Sequence, residues 1–182
     1  PDTVWLSIAA GISMPWLQAA IAPDAAVIRT MPNTPSAIGR GVTAIIASAA
    51  VPADMDALAE RMLGVIGRVV RLKDEADMDA VTAVSGSGPA YVFLMREALE
   101  QAALKAGLAP ELASVLAAET MAGSVALMQE SDQSPGQLRV NVTSPGGTTQ
   151  AALDVLMAED GLMALLEDAV MAARNRSKAL GN

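Results

Sequence analysis

Short apolar runs, separated by turn-forming residues, organise the first part of the chain. Such runs predict β-strands, and an unbroken apolar run predicts a strand that is buried on both faces. The predicted strands cover residues 4–10, 26–31, 42–47 and 67–72, and the first is expected to be buried. Ser13 with Pro15 predicts a helix that runs to about Ile21, and Pro52 begins a second helix that runs to about Leu63.

The order of these elements constrains the sheet. A strand, a helix and a strand in succession predict a right-handed parallel crossover between the first two strands. Pro32 and Pro35 mark a loop after the second strand. Because only about ten residues separate the second strand from the third, too few for a helical crossover, the third is expected to lie antiparallel or to one side.

Beyond Leu72 the apolar spacing becomes helical. A short helix is predicted over residues 75–84 and a loop over 85–89, with Pro89 in the first turn of a long helix that Gly107 terminates. Further helices are predicted over residues 110–129, 135–140, 148–157 and 162–180. The chain therefore divides into an α/β part, residues 1–73, and an all-helical part, residues 74–182.

Composition narrows the chemistry. The chain has 182 residues, 52% hydrophobic but only 2% aromatic, with eleven Met, which suits closely packed helices. Because Cys and His are both absent, thiol nucleophiles, disulfides and a Ser-His-Asp triad are excluded, and no metal site is expected. The net charge of −8 and the lack of a basic patch argue against nucleic acid. With no recognisable secretory signal or membrane-length apolar run, a cytoplasmic location is expected.

The most informative stretch is residues 141–149, Asn-Val-Thr-Ser-Pro-Gly-Gly-Thr-Thr. Its two glycines let the backbone approach a ligand closely, and it opens onto a predicted helix whose first amides have no intrahelical partner. Unpaired amides beside two or three hydroxyls form a socket for a small carboxylate or phosphate. A helix that is merely capped by a Ser or Thr hydroxyl explains the same residues equally well on physical grounds.

Residues 39–44, Gly-Arg-Gly-Val-Thr-Ala, match the letters of a dinucleotide-binding turn, G-x-G-x-x-A. That turn should follow a strand and open a helix, whereas here it precedes a predicted strand, so no phosphate site is assigned to it. The α/β part also begins on a strand with no glycine-rich turn after it. We therefore expect the chain to be a fragment of a longer protein.

Four motifs occur in an order and spacing that resemble the pyrroline-5-carboxylate reductases. They are residues 7–12 (Ser-Ile-Ala-Ala-Gly-Ile), 31–35 (Met-Pro-Asn-Thr-Pro), 85–91 (Ser-Gly-Ser-Gly-Pro-Ala-Tyr) and 142–149 (Val-Thr-Ser-Pro-Gly-Gly-Thr-Thr). The resemblance covers essentially the whole chain. It implies that residues 1–73 are the second half of a Rossmann-like dinucleotide-binding domain and that residues 74–182 are an all-α dimerisation and substrate-binding domain.

The resemblance implies an oxidoreductase of proline biosynthesis, which reduces 1-pyrroline-5-carboxylate to L-proline with hydride from NADPH or NADH. It also implies a homodimer formed through the helical domain, with a higher oligomer left open. Most of the cofactor site is expected in the missing first half of the Rossmann domain, so the isolated fragment is expected to be inactive and the choice between NADPH and NADH is not encoded here.

Substrate roles follow from the same resemblance. Thr149 is the expected catalytic residue, its hydroxyl bonded to the substrate's ring nitrogen. The carboxylate is expected to lie on Ser144 and on the amides of Gly147, Thr148 and Thr149, with Gly146 also in the substrate-binding set. Asp132 stands where a Glu near the substrate loop is expected, which keeps the carboxylate but shortens it.

Cofactor roles are implied in the same way. Ala10, Met31, Pro32 and Asn33 correspond to the cofactor-facing ends of the strands. Asn141 and Val142 correspond to positions beside the nicotinamide amide. Val140 departs from the family pattern, since an Asp is expected there, and this puts a polar contact from that position in doubt.

Two other functions remain open. The chain is also compatible with a dimerisation module that has no catalytic activity, which a direct assay with pyrroline-5-carboxylate would reveal. It is compatible, thirdly, with another imine or hydroxyacid dehydrogenase that has a helical second domain, which substrate profiling would reveal.

Overall fold

The computed structural model describes residues 3–181, which form two compact units. One comprises the described residues up to Pro89 together with those from Asp168 onward, and we call it the sheet unit. The other, the helical unit, comprises Ala90–Glu167. The first boundary between these compact units lies after Pro89 and not after residue 73. The predicted domain boundary between residues 73 and 74 stays a prediction.

A four-stranded mixed sheet forms the centre of the sheet unit. Its strands, in spatial as in chain order, are β1 (Val4–Ser7), β2 (Ala26–Met31), β3 (Gly41–Ala47) and β4 (Gly67–Arg71). The β1–β2 and β3–β4 pairs are parallel, and the β2–β3 pair is antiparallel. The parallel first pair and the antiparallel third strand are thus confirmed, the latter because its connection is too short for a crossover.

Strand β1 lies at the edge of the sheet within the described residues. Its burial is incomplete, since Trp5 is 48% exposed and Leu6 is 42% exposed. The prediction of a strand buried on both faces is therefore wrong for the described chain, because an apolar run identifies a strand without saying whether a neighbour covers it. The strand also ends at Ser7, so Ala10 lies in the turn that follows it.

The two predicted helices between the strands are confirmed. Helix α1 (Met14–Ile21) is capped by Ser13, whose Oγ accepts a hydrogen bond from the Trp16 amide at 3.4 Å. Helix α2 (Ala53–Gly64) covers one face of the sheet. The core there is formed by two sheet isoleucines and two α2 residues, namely Ile28, Ile45, Ala59 and Leu63.

The segment after β4 is helical throughout most of its length. It contains a 3₁₀ turn (Glu75–Asp77), helix α3 (Met78–Val81) and a π-helical turn (Thr82–Gly86), and helix α4 (Gly88–Lys105) follows. The prediction of a loop over residues 85–89 is therefore wrong, although Pro89 does lie in the first turn of α4. Ser and Gly are typical of loops, but here a hydrogen bond from the Ser87 amide to the Thr82 carbonyl (2.8 Å) closes a π-turn.

Buried polar contacts tie this segment to the sheet. The Arg29 side chain, 5% exposed, donates to Glu75 at 2.6 Å, and the same carboxylate oxygen accepts from the Met14 amide. Ser177, near the end of the last helix, donates to Asp79 at 2.6 Å. The sheet unit is therefore completed by residues from both ends of the described chain.

The remaining helices follow the predicted pattern. They are α5 (Pro110–Glu130), α6 (Pro135–Asn141), α7 (Thr148–Leu156) and α8 (Leu162–Leu180), the last of which runs from the helical unit into the sheet unit. Gly107, after α4, has a φ of +98°, a left-handed conformation that suits glycine at a helix end.

Helix α5 is long and apolar enough, by length and composition alone, to cross a membrane, which the sequence did not lead us to expect. Only 11% of its most apolar window is buried in the described chain. Ala113 and Ala117 are its buried residues, one turn apart. The rest of its apolar surface is therefore open to a further partner or environment.

Candidate active site

A tight turn shapes the loop between α6 and α7. Pro145 and Gly146 occupy the central positions, and the Gly147 amide donates to the Ser144 carbonyl at 3.0 Å. Gly146 has a φ of +70°. Proline followed by a residue with positive φ is the signature of a type II turn, in which glycine is strongly favoured at the second central position. The Pro-Gly pair therefore fixes the loop conformation locally.

The turn leads directly into α7 and leaves the first amides of that helix unpaired within it. Gly147 is the N-cap, and the first helical bond runs from the Ala151 amide to the Gly147 carbonyl at 3.2 Å. The amides of Thr148, Thr149 and Gln150 precede this bond and so have no intrahelical acceptor. The Gly147 amide is engaged in the turn, so the donors available to an anion are those of residues 148–150.

The hydroxyls of this loop do not cap the helix. Helix α7 has no side-chain cap in the described structure, whereas α6 has one, since Ser134 accepts from the Gln137 amide at 3.2 Å. Because no hydroxyl caps α7, capping does not explain the Ser and Thr residues of this loop. Ser144 is exposed and Thr149 is half-buried.

Glycine is required beside Ser144. A Cβ added to Gly147 would lie 2.5 Å from the Ser144 Oγ and 3.1 Å from its carbonyl oxygen. Any side chain at Gly147 would therefore displace the hydroxyl that stands at the entrance of the helix. The Thr143 hydroxyl, by contrast, is engaged, since it donates to the Arg139 carbonyl at 2.6 Å.

The neighbouring helix α6 holds Asn141 in a side-chain network. The Asn141 Nδ2 donates to Gln133 at 2.7 Å, and its Oδ1 accepts from Gln137 at 2.9 Å. Val142, Val140 and Asp132 are exposed. Asn141 is thus the last residue of α6 and Val142 the first residue of the loop before α7, and Asp132 is next in the chain to Gln133, which bonds Asn141.

The other predicted cofactor residues belong to the sheet unit. Ala10 follows β1, and Met31, Pro32 and Asn33 lie at the end of β2 and just beyond it. These are neighbouring parallel strands, and the Thr30 hydroxyl donates to the Ser7 carbonyl at 3.0 Å. Ala10 is small and exposed, and it follows β1 at the carboxyl edge of the sheet, where open α/β sheets bind their ligands.

The described residues do not supply a phosphate cradle at residues 39–44. The amides of Gly39, Arg40 and Gly41 donate to the backbone carbonyls of Ser36, Pro35 and Ile66. A Cβ on Gly41 would clash with Ser36. These glycines therefore serve the turn before β3 and its packing, which agrees with the failed context of the G-x-G-x-x-A letters.

Residues 75–180, more than half of the chain, match the family model for pyrroline-5-carboxylate reductase dimerisation. The chain belongs to the pyrroline-5-carboxylate reductase family. It is 46% identical over 176 residues to the pyrroline-5-carboxylate reductase of Synechocystis, covering 97% of this chain and 65% of that protein. The Pseudomonas aeruginosa reductase is 43% identical over 180 residues, which are 99% of this chain and 66% of that protein.

A solved structure of the family has the same fold. The Plasmodium falciparum pyrroline carboxylate reductase with NADP bound superposes with a TM-score of 0.91 at 34% identity, covering all of this chain and 72% of that one. The chain thus spans about two thirds of the length of the curated reductases it matches. The predicted fold class, a partial Rossmann-like part followed by a helical dimerisation domain, is confirmed. The alternatives, a dimerisation module without catalytic activity and another dehydrogenase with a helical second domain, are not favoured.

Two residues outside the predicted site contact it. The Ser85 carbonyl accepts from Asn33, and Gly86 lies against Met31, so the π-turn touches the carboxyl end of β2, where cofactor residues are predicted. The Ser-Gly-Ser-Gly motif was the signal for them, but its letters are equally typical of a helix lead-in. Only the tertiary contacts distinguish the two.

Proposed function

We propose that the full-length protein reduces 1-pyrroline-5-carboxylate to L-proline with hydride from NADPH or NADH. The observation that carries this proposal is the N-terminus of α7, where three amides have no intrahelical partner and the nearby hydroxyls do not cap the helix. It is found in a chain of the pyrroline-5-carboxylate reductase family. The substrate has one carboxylate and one imine nitrogen, and the loop offers a separate group for each.

In the proposed complex, the substrate carboxylate lies on the N-terminus of α7. The amides of Thr148, Thr149 and Gln150 donate to it, and the Ser144 hydroxyl adds a side-chain donor from the turn. Gly146 and Gly147 set the backbone that allows this approach, since Gly146 has the left-handed φ that favours glycine and a Cβ on Gly147 would meet Ser144. Asp132 is proposed to lie near the substrate through the α6 network.

Thr149 is the proposed catalytic residue. Its hydroxyl would hydrogen-bond to the ring nitrogen and orient the adjacent imine carbon toward the hydride donor. Reduction adds a hydride to the imine carbon and a proton from solvent to the nitrogen. As the carbon–nitrogen double bond becomes single, the nitrogen gains electron density, so a fixed hydroxyl donor stabilises it more in the transition state than in the ground state.

The nicotinamide cofactor supplies the hydride when bound. The residues that would hold its reactive end are Ala10, Met31, Pro32 and Asn33 on the sheet unit and Asn141 and Val142 before the substrate loop. The small side chain of Ala10 and the parallel strand ends fit such a ring. Residues 39–41 do not offer their amides to its phosphates, so the part proposed for this chain is the orientation of the reactive end.

The proposed assembly is a homodimer formed through the helical unit, with a higher oligomer left open, in the cytoplasm. The match to the dimerisation model and the open apolar surface of α4 and α5 support it. A dimer of this kind would cover side chains that a single copy leaves in water.

The test is a reductase assay on the full-length protein. Consumption of NADPH or NADH is followed with pyrroline-5-carboxylate as substrate, and the product is identified as proline by mass spectrometry. Other cyclic imines and 2-keto acids serve as comparison substrates. A protein that reduces one of these but not pyrroline-5-carboxylate would overturn the proposal in favour of another dehydrogenase.

A further inference from the structure

We propose that Asn33 is a positioning residue, which fixes the cofactor-facing end of β2 by clamping it to β3 and to the π-turn before α4. We define the Asn33 clamp as the Asn33 side-chain amide, the Val42 amide and the Ser85 carbonyl. The inference rests on the proposed function, in which Met31 and Pro32 face the nicotinamide end of the cofactor. All of its residues belong to the sheet unit.

The first arm of the clamp extends the β2–β3 ladder beyond its last backbone pair. Met31 pairs with Ala44, and continuing this register by two positions places Asn33 opposite Val42. Pro32, between them, has no amide hydrogen and so cannot continue the ladder. The Asn33 Oδ1 accepts from the Val42 amide at 2.9 Å, so the side chain replaces the missing backbone contact.

The second arm reaches the π-turn. The Asn33 Nδ2 donates to the Ser85 carbonyl at 3.1 Å. In this turn the Ser87 amide bonds the Thr82 carbonyl five residues back, which shifts the regular helical register. The Thr82 and Ser85 hydroxyls donate to the carbonyls of Met78 and Val81, at 2.8 and 2.9 Å, and hold the turn in place. π-turns occur frequently at functional sites.

A steric contact sits beside this hydrogen bond. A Cβ added to Gly86 would lie 2.8 Å from the Met31 Cε, whereas a Cβ on Gly88, two residues on, would meet nothing within 4 Å. Two consecutive residues of the turn therefore contact the end of β2. Ser85 accepts the hydrogen bond from Asn33, and Gly86 packs against Met31. Pro32 is held between these two contacts, and its fixed φ makes the segment stiff.

As a consequence, Met31 and Pro32 are already ordered before the cofactor binds. If the clamp is released, Met31 and Pro32 must be ordered during binding, which weakens cofactor affinity. The substrate socket on α7 is built from local contacts of its own, within residues 143–151. Release of the clamp should therefore lower the affinity for cofactor and leave the affinity for substrate unchanged.

The test compares variants of the full-length protein. Asn33→Ala removes both arms, while Asn33→Asp keeps an acceptor for the Val42 amide and loses the donor to Ser85. Thr34→Ala, next in the chain and exposed, is the control. We expect Asn33→Ala to raise the Kd for NADPH, measured by calorimetry, about tenfold, with Asn33→Asp between it and the unmodified protein. At saturating cofactor, the KM for pyrroline-5-carboxylate should stay within about twofold.

A second pair guards against misfolded Asn33 variants. Gly86→Ala leaves Asn33 intact but pushes on Met31, and it should raise the Kd for NADPH several-fold, while Gly88→Ala should not. An unchanged Kd in both Asn33→Ala and Gly86→Ala overturns the clamp, as does an equal loss of cofactor and substrate affinity. If the unmodified protein binds NADPH yet fails to reduce pyrroline-5-carboxylate, the proposed function is wrong, and the Kd comparison still decides the clamp.

Discussion

The two units use apolar residues in opposite ways. In the sheet unit, Val27, Ile28 and Ile45 are almost completely buried, at 1% exposed or less. In the helical unit the buried hydrophobic residues are Ala113 and Ala117, while large side chains such as Phe93 and Leu94 are more than 60% exposed. The sheet unit therefore has a hydrophobic core of its own, whereas the helical unit leaves most of its large apolar side chains exposed.

This difference explains why the match to a dimerisation family falls where it does. A monomer rarely exposes so much contiguous apolar surface without an interaction to cover it. Interfaces of obligate dimers resemble a domain core cut in half and typically bury about 2,000 Å² or more. The helical unit has the features of one such half, so its stability and its assembly should be inseparable.

The largest effect should come from charging the helical surface. Leu116 in α5 is 45% exposed and Leu58 in α2 is 38% exposed, so the same substitution tests the two units. Leu116→Glu should weaken the dimer by about 100-fold or more, because each two-fold interface would bury two unpaired carboxylates. Leu58→Glu should leave the dimer intact. Sedimentation velocity across a dilution series measures both.

Sedimentation of the unmodified protein tests the dimer itself. If it sediments as a monomer at micromolar concentration, the apolar face has another occupant and the comparison between the units needs a different explanation.

The second effect concerns catalysis by the helical unit. Thr149→Ala should lower kcat by roughly 10²–10³-fold, the usual cost of removing one oriented hydrogen-bond donor. Since no side chain caps α7, the melting temperature should barely change. Thr143→Ala is the control, because its hydroxyl bonds the Arg139 carbonyl and should affect stability more than kcat. A Thr149→Ala enzyme with full kcat would show that the hydroxyl does not touch the reacting atoms.

The third effect separates binding from folding with two serines. Ser144→Ala should raise the KM for pyrroline-5-carboxylate about tenfold and leave kcat nearly unchanged, because a carboxylate is held equally in ground and transition states. Ser134→Ala removes the cap of α6 and should cost about 1 kcal/mol of stability with no change in KM. Steady-state kinetics and thermal melts distinguish the two outcomes, and the reverse pattern would assign Ser144 to the helix rather than the substrate.

The smallest effect is expected when NADPH is added to the 182-residue chain by itself. Titration of NADPH into the 182-residue chain should show no binding tighter than micromolar, because the amides of residues 39–41 are already engaged. A submicromolar Kd by calorimetry would mean that the sheet unit contains a phosphate site that the geometry of these residues does not reveal.

Local rules predicted most of the elements. Ser13 before Pro15, Gly107 after a long apolar helix and the helix start at Thr148 each depend on a few residues, and the structure has all three. The antiparallel third strand followed from connection length alone. Such features are encoded near the residues that form them, so one sequence suffices to find them.

Features that depend on distant contacts were not predictable in the same way. The apolar run at residues 4–7 does not say that β1 is an edge strand of the described sheet. The Ser-Gly-Ser-Gly stretch has loop composition, yet Asn33, 52 positions earlier, bonds the Ser85 carbonyl and the segment forms a π-turn. The roles of Thr149 and Ser144 remain predictions, because geometry shows available groups without showing what binds them.

The end of α8 has a consequence for biosynthesis of the protein. Ser177 bonds Asp79, 98 positions earlier, and Gly181 fits against Gly11 only because it lacks a side chain. The sheet unit therefore cannot close until nearly all of the described chain has left the ribosome, on the order of 5–20 s after Asp79 at ordinary elongation rates. From about the middle of that interval the apolar faces of α4 and α5 are synthesised and uncovered, so we expect the nascent chain to bind chaperones before it assembles.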